Sequence, residues 1–129
     1  MKKISVLCVL VLLLSSLPLC MTAKHEFTHY DMSNGLSHNT VLAIAQDKSG
    51  FMWFGTKNGL NRFDGHFFKK YYADTLDRSL KSDYINALCL GPDNRLWVGT
   101  DAGLFVSDTK QDRFERFEVK TKEGKTIGS

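Results

Sequence analysis

The feature that most constrains the fold of this chain is an internal repeat of 44 residues. Shifted by that offset, block 51–60 falls on block 95–104, and both contain the pattern W-x-G-T-x-x-G-L without a gap. A fixed period of roughly 20 to 50 residues is the signature of repeat architectures. The residues that form the repeat motif are Trp53, Gly55, Thr56, Gly59, Leu60, Trp97, Gly99, Thr100, Gly103 and Leu104.

Each copy of the repeat divides into four short runs separated by turn residues such as Gly, Pro, Asp and Asn. The predicted strands are residues 41–46, 51–56, 60–64, 67–72, 85–90, 95–100, 104–108 and 113–119. Four short antiparallel strands in about 44 residues are typical of a propeller blade. The predicted fold class is therefore all-β, a partial β-propeller with blades at residues 36–79 and 80–122.

Both ends of the predicted blades carry pieces of further repeats. The run Phe27–Tyr30 resembles the fourth strand of each copy, so residues 24–35 are expected to hold an orphan closing strand and a linker. Residues 123–129 resemble the start of a truncated third repeat. Because propellers have about four to eight blades, we expect the chain to be part of a larger ring. Alone, its outer blade faces would be exposed, which favours poor stability or self-association.

The first strand of each blade, 41–46 and 85–90, is apolar at nearly every position. This pattern predicts a sheet covered on both faces by neighbouring blades. Cys89, in the second of these runs, is expected to be a small buried hydrophobe rather than a reactive thiol.

Residues 1–23 have the order of an export signal peptide, with two lysines, an apolar stretch over 4–14 and small residues ending at Ala23. An uncleaved membrane anchor and lipoprotein processing at Cys20 are the alternatives.

Without this segment, the chain has 15 Lys and Arg residues and 14 Asp and Glu residues. That balance offers no electrostatic case for nucleic acid or an anionic membrane surface as a partner.

The motif W-x-G-T-x-x-G-L, the turn Asp47–Gly50, the phrase Asn34–Ser37 and the run Asn61–Gly65 together resemble the two-component regulator propeller repeat. More narrowly, the chain resembles the amino-terminal part of hybrid two-component sensors of the polysaccharide-utilisation type. The second copy departs from the pattern, since Gly91 replaces the Asp of the turn.

The resemblance implies an exported sensor propeller on the periplasmic side of the inner membrane, which detects glycan-derived oligosaccharides and controls a phosphorelay and transcription. The implied partners are the remaining blades, a second receptor in a homodimer and an oligosaccharide, with membrane attachment only through a downstream segment. The histidine kinase of such a receptor would lie outside this chain, so the chain itself is not expected to be an enzyme. The alternative is a secreted propeller-type module that binds carbohydrate or protein. A third class, a propeller glycosidase or lyase, would need turnover dependent on Asp64 or Asp108.

The repeat residues are expected to act structurally, with Gly55 and Gly99 allowing close blade contact. Trp53 and Trp97 are expected in the core, although flat aromatic faces could instead stack on sugar rings. Tyr72 and Tyr84, in loops, are better stacking candidates. No metal site is expected, because the four histidines His25, His29, His38 and His66 lack a ligand cluster beside them. No cofactor or catalytic residue is expected, because the sequence has no G-x-S-x-G, no phosphate-binding Gly-rich motif and no Cys-x-x-Cys.

Overall fold

Two four-stranded antiparallel sheets form most of the described part of the protein. The computed structural model describes residues 24–108, 112–120 and 126–127. The first sheet, blade 1, contains β1 (Val41–Gln46), β2 (Met52–Thr56), β3 (Gly59–Phe63) and β4 (Phe68–Tyr71) in that order. The second sheet, blade 2, contains β5 (Ile85–Leu90), β6 (Leu96–Thr100), β7 (Gly103–Asp108) and β8 (Arg113–Arg116). The prediction of an all-β fold with two propeller blades is confirmed.

The two blades share their strand register as well as their order. In both, the pairing of the first two strands shifts at one position, between Val41 and Ala43 in blade 1 and between Ile85 and Ala87 in blade 2. The irregularity therefore belongs to the repeat and recurs wherever the sequence pattern does. Both first strands have the bounds that the apolar runs predict.

The core of the molecule lies between the two blades. The first strands β1 and β5 lie side by side, and β2 also contacts β5. Leu80, in the connection between the blades, is 1% exposed and joins this core. The fully or nearly fully buried core residues are Trp53, Leu60, Leu80, Ile85, Leu96, Val98, Phe105 and Phe114.

The segments outside the two blades differ from the prediction. Phe27–Tyr30 is not a strand, because no neighbouring strand among the described residues supplies hydrogen bonds to it; a short 3₁₀ helix, Met32–Asn34, follows instead. The strand predicted over 113–119 ends at Arg116, and β9 (Val119–Lys120) pairs with β10 (Thr126–Ile127). The predicted signal peptide, residues 1–23, and the rest of the predicted third repeat lie outside the described residues.

The expectation that β1 and β5 are covered on both faces was wrong for the described residues. Leu42 and Ile44 of β1 are 39% and 58% exposed. Cys89 of β5, predicted to be buried, is also exposed. Each strand is covered only on the face toward the other blade, because no further blade among the described residues packs on the opposite face.

Candidate functional site

The interface between the blades uses a different face of each sheet. We call the side of a blade that carries the repeat Trp the Trp face; blade 1 turns this face, with Trp53, Leu60 and Tyr71, toward blade 2. The opposite side, here called the docking face, carries Phe114 on blade 2, whose ring lies 5.3 Å from that of Tyr71. Blade 2 thus covers the Trp face of blade 1 with its own docking face.

Trp53 is held in the interface by a polar anchor and an aromatic neighbour. Its indole Nε1 donates a hydrogen bond of 2.9 Å to Oδ2 of Asp47, and its ring stacks on Tyr71 at 5.7 Å. The other carboxylate oxygen of Asp47 accepts from the backbone N–H groups of Ser49 and Phe51. Since Trp53 is 1% exposed, it serves as a core residue and offers no face for a sugar.

Trp97 occupies the same position of the repeat as Trp53, but its burial and its neighbouring residues differ. It is only partly buried, and its ring meets that of Phe117 edge to face at 4.9 Å. At the position of Asp47 blade 2 has Gly91, where a Cβ would come within 2.9 Å of Trp97 Nε1. The two tryptophans therefore share a strand position but differ in burial.

Gly55 allows the close contact between blades that its position predicts. A Cβ at Gly55 would lie 2.6 Å from Cγ2 of Ile85, a distance that real Cβ atoms do not reach. Ile85, which is fully buried, therefore fills the space left by the missing side chain. At Gly99 the nearest atoms to such a Cβ are those of Ala87 in the same sheet, the closest at 3.4 Å.

The turn between the second and third strands has the same chemistry in both blades. The Thr56 hydroxyl donates to the carbonyl oxygen of Gly59 at 2.9 Å, and Thr100 donates to Gly103 at the same distance. Gly59 and Gly103 have φ values of 115° and 118°, in the region that favours glycine. The motif G-T-x-x-G thus encodes a tight turn closed by a threonine side chain.

A polar cluster, which the sequence did not predict, joins Asp112, in the turn before β8, to side chains of β3 and β4. Asp112 of blade 2 accepts hydrogen bonds from Arg62 at 3.1 Å, from the hydroxyl of Tyr71 at 2.6 Å and from Lys69. Burial acts to raise the pKa of Asp112, but hydrogen bonds from Lys69 and Tyr71 and the nearby positive charges outweigh it and lower that pKa. Burial, and then the bond to Asp112, raises the pKa of Tyr71.

The two loop tyrosines come to one end of the molecule. Tyr72 is 46% exposed, and its ring rests beside the Gly59 turn. Asp83 holds the connection between the blades in place, since its carboxylate accepts from Ala73 N–H at 2.6 Å and its carbonyl accepts from Gly59 N–H at 2.7 Å. Tyr84, next to Asp83, is partly buried. A half-exposed aromatic ring beside fixed polar groups is suited to contact with a small polar ligand.

The predicted histidines and acids are dispersed over several loops. His29 lies 3.8 Å from Asp31, and His38 accepts a hydrogen bond from Thr40 N–H. Asp64 caps the turn before β4, where hydrogen bonds from the N–H groups of Phe67 and His66 lower its pKa. Within the described ranges, no group of three or more His, Cys, Asp or Glu side chains could hold a metal ion.

The chain matches a family model and several known proteins. The model described as Two component regulator propeller matches residues 35–58 and 79–102, one segment in each blade. Histidine kinase P4 of Formosa agariphila is 44% identical over 64 residues, which are 47% of this chain and 5% of that protein. No helix among the described residues is long and apolar enough to span a bilayer.

Solved structures show the same architecture. The extracellular domain of the hybrid two component system BT3049 from B. thetaiotaomicron superposes with a TM-score of 0.68 at 31% identity, over 78% of this chain and 14% of that one. The extracellular domain of BT4673 from the same organism superposes with a TM-score of 0.56 at 24% identity, over 67% of this chain and 12% of that one. The chain thus spans a small part of the length of each relative. Each blade thus contains one segment that matches the two component regulator propeller model, and the two segments share their turn chemistry.

Proposed function

We propose that this chain supplies two blades to the extracellular sensor propeller of a hybrid two-component regulator. The observation that carries the proposal is the pair of W-x-G-T-x-x-G-L blades with a common register, together with the 31% identity to an extracellular domain of such a system. The sensor stands on the periplasmic side of the inner membrane and controls a phosphorelay and transcription through parts outside this chain. As part of such a receptor the chain acts in a homodimer.

The coding sequence on the 3′ side of the Ser129 codon tests this role. If the chain belongs to a hybrid regulator, that sequence encodes further W-x-G-T-x-x-G-L repeats, a membrane-spanning segment and a histidine kinase. A frame that continues without a kinase would overturn the proposal and favour a secreted propeller module.

The ligand that we propose is a glycan-derived oligosaccharide, bound at the end of the blades where Tyr72 and Tyr84 lie. The exposed half of the Tyr72 ring offers a flat apolar surface for a sugar ring. Asp83 can accept a hydrogen bond from a sugar hydroxyl through Oδ2, since Oδ1 is engaged by Ala73 N–H. The chain binds the ligand without chemical turnover. Asp64, one of the two acids on which turnover would depend, is occupied with capping a turn.

Calorimetric titration of the chain with a panel of oligosaccharides tests this ligand. We expect at least one to bind, Tyr72→Ala to weaken its binding about tenfold or more as for other aromatic anchors, and Phe67→Ala to leave it unchanged. Phe67 is a matched control because it is an aromatic residue that is 77% exposed and lies in a different turn. Equal effects of both substitutions would contradict this site, and release of shorter sugars would contradict a role without turnover.

A further inference from the structure

The connection between the blades, residues 72–84, folds around the end of the Lys81 side chain. The ammonium group of Lys81 donates to the carbonyl oxygens of Leu76 at 2.6 Å and Asp74 at 2.9 Å, and to the Ser79 hydroxyl at 3.2 Å. A lysine ammonium has three N–H donors, so these three oxygens accept all of them. Lys81 thus binds the connection from within, although the residue itself is exposed.

Two hydrogen bonds close the connection at its neck, next to the proposed ligand site. The Ala73 N–H donates to Oδ1 of Asp83 at 2.6 Å, and the Asp74 N–H donates to the carbonyl oxygen of Leu80 at 3.0 Å. Tyr72 directly precedes the first donor, and Asp83 supplies its acceptor. The position of the Tyr72 ring relative to the Asp83 carboxylate therefore depends on the conformation of the neck.

Asp74 links the neck to the ammonium group. Its N–H lies in the neck, while its carbonyl oxygen accepts from Lys81. Leu80, which supplies the acceptor of the neck, is 1% exposed and directly precedes Lys81. Because hydrogen bonds to a charged group are stronger than those between neutral groups, the ammonium helps to hold Asp74 in the position that closes the neck.

The equivalent position of the preceding repeat is held by different chemistry. Ser37 lies 44 residues before Lys81, and its N–H donates at 2.9 Å to Oδ1 of the buried Asn61. In blade 2 the counterpart of Asn61 is Phe105, whose side chain has no oxygen that could accept. The acceptor that holds Ser37 therefore has no equivalent at that position of blade 2, and Lys81 binds the connection instead.

From these contacts we infer that Lys81 is a positioning residue. By binding the connection from within, its ammonium group keeps the neck closed and so fixes Tyr72 and Asp83 in the arrangement that binds the ligand. The role of Lys81 in ligand binding rests on the proposed function, whereas its role in closing the neck does not. Lys81 acts through Tyr72 and Asp83 and need not touch the ligand.

Amide hydrogen exchange of the full chain, measured by NMR, tests the neck without a ligand. Lys81→Met removes the ammonium and keeps a long side chain, Lys81→Arg keeps the charge and N–H donors, and Lys70→Met is the matched control at an exposed lysine of β4. We expect Lys81→Met to speed exchange at Ala73 and Asp74 about tenfold or more. Lys81→Arg should speed it far less, and Lys70→Met should leave it unchanged.

The Ala102 amide, which donates to the Thr100 hydroxyl in blade 2, shows whether a change is local. Its exchange should be the same in every variant. The inference would be overturned if Lys81→Met left exchange at Ala73 and Asp74 unchanged, or if it raised exchange at Ala102 equally. Circular dichroism checks that Lys81→Met keeps its sheets, and Lys81→Gln replaces it if it does not.

Calorimetric titration with an oligosaccharide that binds the unchanged chain then tests the role in ligand binding. Lys81→Met should weaken binding about tenfold, because the site is no longer preorganised, while Lys70→Met should bind as the unchanged chain does. Unchanged binding by a Lys81→Met variant whose neck exchanges faster would overturn the positioning role. If no oligosaccharide binds the unchanged chain, the proposed ligand is wrong, and the exchange rates alone decide whether Lys81 closes the neck.

Discussion

At the scale of single residues, identical residues of the repeat have different energetic roles. Gly55 and Gly99 share the motif, but only Gly55 faces a side chain of the other blade. The sequence predicts that both glycines permit close contact, and it cannot predict which contact is made, because that depends on which sheet lies on which face.

The first prediction compares alanine at these two glycines. Gly55→Ala should lower the free energy of unfolding by about 1 to 3 kcal/mol, since the added Cβ overlaps the buried Ile85. Gly99→Ala should change it by less than about 0.5 kcal/mol, as for substitutions away from packed contacts. Urea unfolding, measured at a concentration too low for association, gives both values. An equal decrease in the free energy of unfolding for the two variants would contradict a closer contact at Gly55 than at Gly99.

Asp112 illustrates what residue patterns do not predict. It lies between two strands of the second repeat, and its three partners all come from the first repeat. The fourth strands of the two blades are 46 residues apart, whereas the inner three are 44 apart. No motif at a fixed period could have identified this residue.

The second prediction concerns the dependence of stability on pH. Because folding lowers the pKa of Asp112 from its ordinary value of 3.8, its ion pairs stabilise the fold fully above about pH 4. This contribution is lost as the pH falls through the lower, folded value. Asp112→Asn should therefore reduce stability at pH 7 by about 1 kcal/mol or less, since the cluster is partly exposed, and the difference should shrink below pH 4.

The difference in stability is measured from the urea unfolding midpoints of the unchanged chain and of Asp112→Asn, each taken between pH 7 and pH 3. Asp31, Asp64 and Asp93 also have lowered pKa values, so both proteins lose stability in acid and only the difference between them reports on Asp112. A difference that does not change with pH would contradict the role of the ionised carboxylate.

At the scale of strands and turns, the sequence predicts the fold well because each blade is encoded locally. The apolar runs predict the bounds of β1 and β5. In blade 1, the turn residues predict where the other three strands begin and end with an error of no more than one residue. The prediction of a strand fails at Phe27–Tyr30, which has no strand partner among the described residues. Phe27–Tyr30 has the composition of a strand but forms none, since a strand exists only where a neighbour completes its hydrogen bonds.

The third prediction concerns the turn between β2 and β3. Gly59→Ala should destabilise the protein by about 1 to 3 kcal/mol, because a side chain is strained at φ 115° and its Cβ would lie 3.1 Å from the carbonyl oxygen of Tyr71. Gly103→Ala carries the same strain at φ 118°, but its nearest neighbour is the flexible guanidinium of Arg116 at 3.6 Å. Thermal unfolding should therefore rank Gly59→Ala as the less stable variant. The reverse order would contradict the contact with Tyr71.

At the scale of the whole molecule, the two blades share one core, in which large side chains of both blades meet. Phe114 of blade 2 contacts Tyr71, which stacks on Trp53 of blade 1. Leu80 in the connection is buried in the same cluster. Neither blade buries this surface without the other.

The fourth prediction follows from this shared core. Phe114→Ala should lower the free energy of unfolding by about 3 to 5 kcal/mol, as for other large aromatic residues in cores. Phe117→Ala, on the uncovered Trp face, should cost much less, since Phe117 is 46% exposed. Trp fluorescence during urea unfolding measures both. A second transition in the Phe114→Ala variant would show that the blades are coupled mainly through this ring, and an unchanged midpoint would contradict a shared core.

The fit of Ile85 into the space at Gly55 shows that the two faces of a blade differ in shape. One side of the sheet carries the projection and the other the recess, and the same 44 residues encode both. A tandem duplication of such a segment in the gene therefore yields a blade that already fits its predecessor. A propeller of this kind can lengthen during evolution without a new interface having to arise.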